Sequence, residues 1–151
     1  MIEVEFGYSE LIDSVIERLQ YISGKRAGNT DEYFRHAACS ADSSMLMQLA
    51  AECISFLALK VGKRWVSTVI SGDLVKITFN SEAETAGILG DRDTFSRLVR
   101  TSVVYAVISR WLSISGSEDA SLWESRADYL YENLLVRLNI RKSLKPRRIP
   151  F

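Results

Sequence analysis

The chain reads as mainly α: a helical bundle of about four main helices with one inserted β-hairpin and an extended C-terminal arm. Three observations predict this. Apolar residues recur at helical spacing along most of the sequence; the period switches from 3.6 to 2 and back between about Arg64 and Phe79; and Pro146 and Pro150 forbid helix in the basic segment that follows the last periodic stretch. With 151 residues, 47% of them hydrophobic and 25% charged, the chain has the balance of one globular domain with a real core. We place that domain at residues 1–141 and the arm at 142–151.

The elements follow in order. Ser9 precedes "ELIDSVIERLQYI", in which Leu11, Ile12, Val15, Ile16, Leu19 and Ile22 share one face, so a first helix is expected from about Glu10 to Ile22 with Ser9 as its cap. "SGKRAGNT" reads as a loop, "DEYFRHAA" as a short helical turn, and "CSADSS" restarts the chain. From Ser44 to about Val61 the residues are apolar almost all round, with Gln48, Glu52 and Ser55 on one narrow stripe, which predicts the central buried helix. Gly62 ends it. "RWVSTVI" and "LVKITF", β-branched and aromatic around the turn signal "SGD", predict a hairpin from about Arg64 to Phe79 as the only β-structure. After the loop "NSEAETAGILGD", Asp91 or Asp93 caps a long helix carrying Phe95, Leu98, Val99, Val103, Ile108, Trp111 and Leu112. "SISGSEDAS" closes that helix and opens a last one, whose apolar face holds Trp123, Ala127, Leu130, Tyr131, Leu134, Leu135 and Leu138.

Charge is balanced in total and segregated in sequence. Lys plus Arg equals Asp plus Glu at 19 each, so no overall field recruits nucleic acid or a membrane, and any electrostatic partner must meet a local patch. The first 17 residues contain Glu3, Glu5, Glu10, Asp13 and Glu17 without a base; the last 15 contain Arg137, Arg141, Lys142, Lys145, Arg147 and Arg148 without an acid. Cys39 and Cys53 lack the spacing of a zinc site and the density of a disulfide scaffold, and read as reduced packing residues of an intracellular product. "MIEVEFGYSE" has neither the basic nor the apolar region of a signal peptide, and Gln48 and Glu52 interrupt the most apolar run, so no membrane partner is expected.

No residue pattern points to an enzyme, a cofactor or a metal. His36 is the only histidine, and a Cys39–His36 pair lacks the third, orienting group and the oxyanion site that a thiol nucleophile requires. "GKRAG" and "VGKRW" lack the glycine spacing and following Ser or Thr of a phosphate loop. Glu82, Glu84, Asp91 and Asp93 lack the ligand order and central glycine of a calcium loop, so capping and solvation account for them. Trp111 and Trp123 are in phase with apolar helix faces and read as core.

Two segments read as interaction surfaces. Apolar residues occupy both pleat faces of the hairpin, which a hairpin packed on one side does not need, and this marks Trp65, Val69, Leu74, Ile77 and Phe79 as an interface with a neighbouring chain. In the segment "RKSLKPRRIPF", Lys145, Arg147 and Arg148 offer charge-assisted contacts while Ile149 and Phe151 offer apolar anchors. This segment is open to three readings: a solvated chain end, an arm that docks on another protein, or a stretch that faces nucleic acid phosphates. The docking reading takes the acidic surface around Glu3, Glu5 and Glu10 as its receiver.

The order of elements, together with "TSVVYAVISRWLSI", "DASLWESRADYLYENLLVRL" and the "KPRRIPF" arm, resembles the head-to-tail connector (neck adaptor) proteins of tailed bacteriophages, of the type found in Bacteroidales phages and prophages. The likeness covers the whole chain in architecture and about Thr101 to Phe151 in motif. It implies a structural virion protein made in the bacterial host cytoplasm, a ring of identical subunits, commonly twelve, with the portal protein on one side and tail or neck proteins on the other. DNA would pass through the bore without sequence-specific binding. The alternative is a small helical nucleic-acid-binding or regulatory protein whose bases contact phosphates; the neutral total charge and the lack of a basic recognition helix speak against it.

Overall fold

A computed structural model of the chain describes residues 1–26, 36–80 and 92–139. Alternation begins at the second residue. Ile2, Val4 and Phe6 are buried while Glu3 and Glu5 are exposed, and this period of two forms a strand, β1 (Ile2–Gly7), that runs without a break into helix α1 (Tyr8–Arg26). After a 3₁₀ turn at Ser40–Asp42 come α2 (Ser43–Val61), the hairpin strands β2 (Trp65–Ser71) and β3 (Leu74–Phe79), and the two long helices α3 (Arg92–Ile114) and α4 (Ala120–Asn139). The fold is therefore mainly helical, with four main helices and a small antiparallel sheet among the described residues.

The sheet has three strands in the order β1-β3-β2, so the hairpin is not the only β-structure, as its sequence had suggested. Ile2, Val4 and Phe6 pair with Phe79, Ile77 and Val75, and the second strand of the hairpin becomes the middle of the sheet. An isolated hairpin is marginal in water, and the third strand supplies the missing apolar neighbours on its buried face. At the other end, Gly72 takes φ of +60° at the first central position of the two-residue turn between Ser71 and Leu74, the position at which a hairpin turn of type II′ takes glycine.

That turn also starts α1. Asp73 accepts from the Ser9 amide at 2.7 Å and the Ser9 hydroxyl at 2.8 Å, and its backbone oxygen accepts from the Tyr8 amide at 2.6 Å. The cap expected from Ser9 is thus supplied from the hairpin, and the helix begins at Tyr8 rather than Glu10 because the strand delivers the chain directly to that carboxylate. The Tyr8 hydroxyl donates to the Met47 carbonyl, tying the same corner to α2.

The core lies between the sheet and the helices, and its centre is α3. This helix packs against α1, α2, α4 and β1, with Phe95, Val99, Val103, Val104, Val107, Ile108 and Leu112 buried. The expectation that α2 would be central fails. It buries Leu46, Leu49, Ala50, Cys53, Ile54, Leu57 and Val61 on one face and leaves Met45, Phe56 and Leu59 exposed on another. Composition alone does not distinguish a helix covered all round from one whose apolar far side is uncovered; the stretch Ser40–Arg64 is long and apolar enough to cross a membrane, yet the buried face of α2 within it belongs to this core.

Trp65, Phe79 and Phe95 join the sheet to the helices. Their rings meet edge to face at 4.9 Å (Trp65–Phe79) and 5.4 Å (Phe79–Phe95). At its far end α3 stops in a Schellman arrangement around Gly116 at φ +77°, with the Ser117 amide donating to Leu112 O at 2.8 Å and the Gly116 amide to Ser113 O at 3.2 Å. The chain then returns as α4, and Trp123 packs edge to face on Tyr105 at 5.1 Å. Trp111 and Trp123 are buried, as their phase predicts.

Replacing Asp73 by Ala removes the acceptor that caps α1 and should lower the stability of the domain by about 1 kcal/mol, while Asp73→Asn, which keeps an acceptor oxygen, should lose much less. Urea unfolding followed by circular dichroism measures both. Equal stability of the Ala variant and the parent would contradict the assignment of the cap.

Candidate interaction surface

The groups with catalytic potential are each engaged separately. His36 Nδ1 lies 2.9 Å from Ser115 Oγ, and the His36 carbonyl accepts from Trp111 Nε1 at 2.8 Å, so the histidine fastens its segment to the end of α3. Cys39 instead meets Asp42, whose carboxylate accepts from the Cys39 amide at 2.9 Å and lies 3.5 Å from the sulfur. The second thiol, Cys53, is buried among α2, α3 and α4, and burial pushes it up from 9.0 to about 11, with Arg110 acting against that rise and Glu52 adding to it. A thiol that stays protonated at neutral pH is no nucleophile. Among the described residues no three His, Cys, Asp or Glu side chains are placed to hold a metal.

At pH 8 a thiol reagent should therefore find one fast cysteine, the exposed Cys39, and one, Cys53, that reacts only as the protein unfolds. Because the folded-state value of Cys53 is raised, its contribution to stability is complete below pH 9 and is lost as pH rises towards about 11. Two thiols reacting at equal rates in the native protein would contradict the burial of Cys53.

The surface features are clearer. Strand register divides the expected hairpin interface into two sets. Trp65, Ile77 and Phe79, with Val75, point into the core and are covered by the chain's own helices, so they are not available to a neighbour. Val69 and Leu74 stay exposed, at 52% and 43%. Val66 and Ile70 join them at 47% and 44%, and only Trp65 is buried in the whole of β2. The period of two reports which residues alternate, but not how far the helical layer extends beneath the sheet; here it covers β1 and β3 and stops short of β2.

Among the described residues β2 is also an edge strand. The pairing of Ser71 with Leu74 across the turn, and the donation of Asn80 N–H to Arg64 O at 2.8 Å, fix which backbone groups face β3. Val69 and Ser71 face β3, whereas the amides and carbonyls of Thr68 and Ile70 point away from the sheet. The side chains of Thr68 and Ile70 lie on the helix side, opposite Ile77 and Val75, and Thr68 Oγ1 accepts from Trp65 Nε1 at 2.7 Å. The other edge, β1, carries Glu3 and Glu5; β2 carries no charge and no proline between Trp65 and Ser71.

The expected acidic receiver is partly answered within the subunit. Glu3 lies 3.4 Å from Lys76 across the sheet, and Glu5 and Glu10 line a cleft of about 280 Å³ together with Arg97 and Arg100. Elsewhere, Leu122, Tyr129 and Val136 stand exposed at seven-residue intervals along α4. Beside them a cleft of about 380 Å³ opens between α1 and α4, lined by Tyr21, Ile22, Leu122 and Trp123 with Arg18 and Arg126 at its sides. Arg18 stacks over Tyr105 at 5.1 Å and Arg126 over Trp123 at 4.7 Å. The arm residues Lys145, Arg147, Arg148, Ile149 and Phe151, and Glu82, Glu84 and Asp91, lie outside the described residues.

Comparison of the chain with protein-family models, with curated proteins and with solved structures finds no match in any of the three. The functional reading therefore rests on the chain's own surfaces and on the resemblance drawn from its sequence.

Proposed function

We propose that the protein is a structural subunit of a tailed-phage head-to-tail connector, forming a ring between portal and tail through which DNA passes. On this reading it is made in the bacterial host cytoplasm, ends in the virion and has no enzymatic activity. The observation that carries the proposal is the presence of two unlike apolar surfaces on one small domain. One is the uncharged β2 edge with Val66, Val69, Ile70 and Leu74; the other is the α4 stripe of Leu122, Tyr129 and Val136 beside the α1–α4 cleft. Exposed apolar groups of this kind mark association surfaces, and a ring is built by unlike surfaces meeting in a head-to-tail repeat.

Electron micrographs of the purified full chain at high concentration, alone and with portal-bearing heads, should show closed rings of one size. A protein that remains monomeric or dimeric under both conditions and retards duplex DNA at low salt would overturn the proposal in favour of a nucleic-acid-binding protein.

A further inference from the structure

We propose that the β2 edge is a strand-addition site and that its occupant is the segment Arg147–Phe151 of a neighbouring copy, which enters antiparallel to β2 as a fourth strand. The inference rests on the ring reading for the source of the segment; the fit itself comes from the parity of two prolines. In an extended strand the N–H and C=O of a residue point to one edge and those of the next residue to the other, while side chains alternate between faces in the same rhythm. Pro146 and Pro150 are four residues apart and therefore present their amide-less nitrogens to the same edge. The opposite edge then carries the intact N–H and C=O groups of Arg147, Ile149 and Phe151.

That edge matches what β2 lacks. Its outward-pointing backbone belongs to Thr68 and Ile70, and a strand that pairs with them places its own bonded residues on the same, helix-facing side of the sheet. Ile149 and Phe151 would thus continue the buried face beside Thr68 and Ile70, where the subunit's own helices leave Ile70 at 44% exposure. The prolines would take the new outer edge and stop further strands from adding, the usual place for proline in a sheet. The direction follows from charge. An antiparallel segment puts Arg147 and Arg148 at the Ser71–Asp73 end of β2 and keeps them from Lys63 and Arg64, which precede its other end.

The path is available as well. Tyr131 Oη donates to Lys60 O at 3.0 Å and Lys60 Nζ lies 3.7 Å from Asp128, so α4 runs beside the end of α2 that leads through Gly62–Arg64 into β2. Residues 140–146 follow α4 in sequence, and at about 3.3 Å per extended residue they would span at most roughly 23 Å. Main-chain bonds would supply the attachment, and the alternate side chains the selectivity, as in other strand additions.

The test uses full-length chains in a Cys39→Ser background, mixing one chain that carries Ile70→Cys with another that carries Arg147→Cys, Ile149→Cys or Arg148→Cys, under mild oxidation. Covalent dimers on non-reducing gels are expected with Arg147→Cys or Ile149→Cys and not with Arg148→Cys, whose side chain falls on the other face. A second pair reads the same parity without a cross-link: Ile149→Pro should abolish assembly, because it removes an amide facing β2, and Arg148→Pro should not. Closed rings with no parity in either experiment would overturn strand addition and leave the connector reading standing. Parity-dependent cross-links in open or dimeric species would support strand addition and overturn the ring. When Ile70→Cys and Ile149→Cys are instead placed together in one chain, cross-links confined to that chain would overturn the neighbouring copy as the source.

Discussion

Phe79 is the residue through which the two halves of the domain hold each other. It is wholly buried at the end of the middle strand, with its ring in T-shaped contact with both Trp65 and Phe95 of the central helix. Burying a phenylalanine contributes about 1.5–3 kcal/mol, and truncating one in a core costs roughly 3–5 kcal/mol because the cavity cannot fully collapse. The contact also fixes geometry. With Phe79 seated on α3, the inward residues of β3 and β1 fall over the helices and the outward residues face solvent, and the sheet is held as a single layer with one covered face. Among the described residues β2 and its edge stay uncovered because the helical layer is narrower than the sheet.

The helices show the same economy. α3 is enclosed, while α2 and α4 flank it and leave polar and charged side chains along the groove between them: Glu52 at 4.0 Å from Arg110, Lys60 at 3.7 Å from Asp128, and Arg110 over Phe56 at 4.5 Å. These pairs are about half exposed and contribute little to stability. Their role is to let apolar residues such as Phe56 sit at the surface with a cationic neighbour. The domain therefore derives its stability from the aromatic junction and the α3 core rather than from these surface pairs.

Much of this was legible in the sequence. Helical periodicity located four helices, Gly62 and Gly116 marked their ends, and "SGD" between β-branched runs located the hairpin. The third strand is written as plainly, in the alternation of Ile2, Val4 and Phe6 with Glu3 and Glu5, but so short a run reads equally well as an acidic surface segment until a pairing partner is known. Asp73 gives no local sign of capping α1, since it lies 64 residues from Ser9 and meets it only once the sheet has formed. The sequence marks Trp65, Val69, Leu74, Ile77 and Phe79 together as one interface, whereas Val69 and Leu74 are exposed and Trp65, Ile77 and Phe79 are buried. Separating the sets requires the register, which the two-residue turn fixes, and the extent of the helical layer, which no local pattern encodes. Ile70 was missed for that reason: it points toward the helices yet lies beyond them.

On the proposed reading β2, open among the described residues, is closed when subunits assemble. Hydrogen exchange of the full chain, resolved by residue and compared between dilute and assembled protein, measures this directly. The Thr68 and Ile70 amides should exchange rapidly in the dilute protein and become strongly protected on assembly, while the Val69 amide, bonded to β3, is protected in both. Thr68 and Ile70 amides that exchange equally fast before and after assembly would contradict the account.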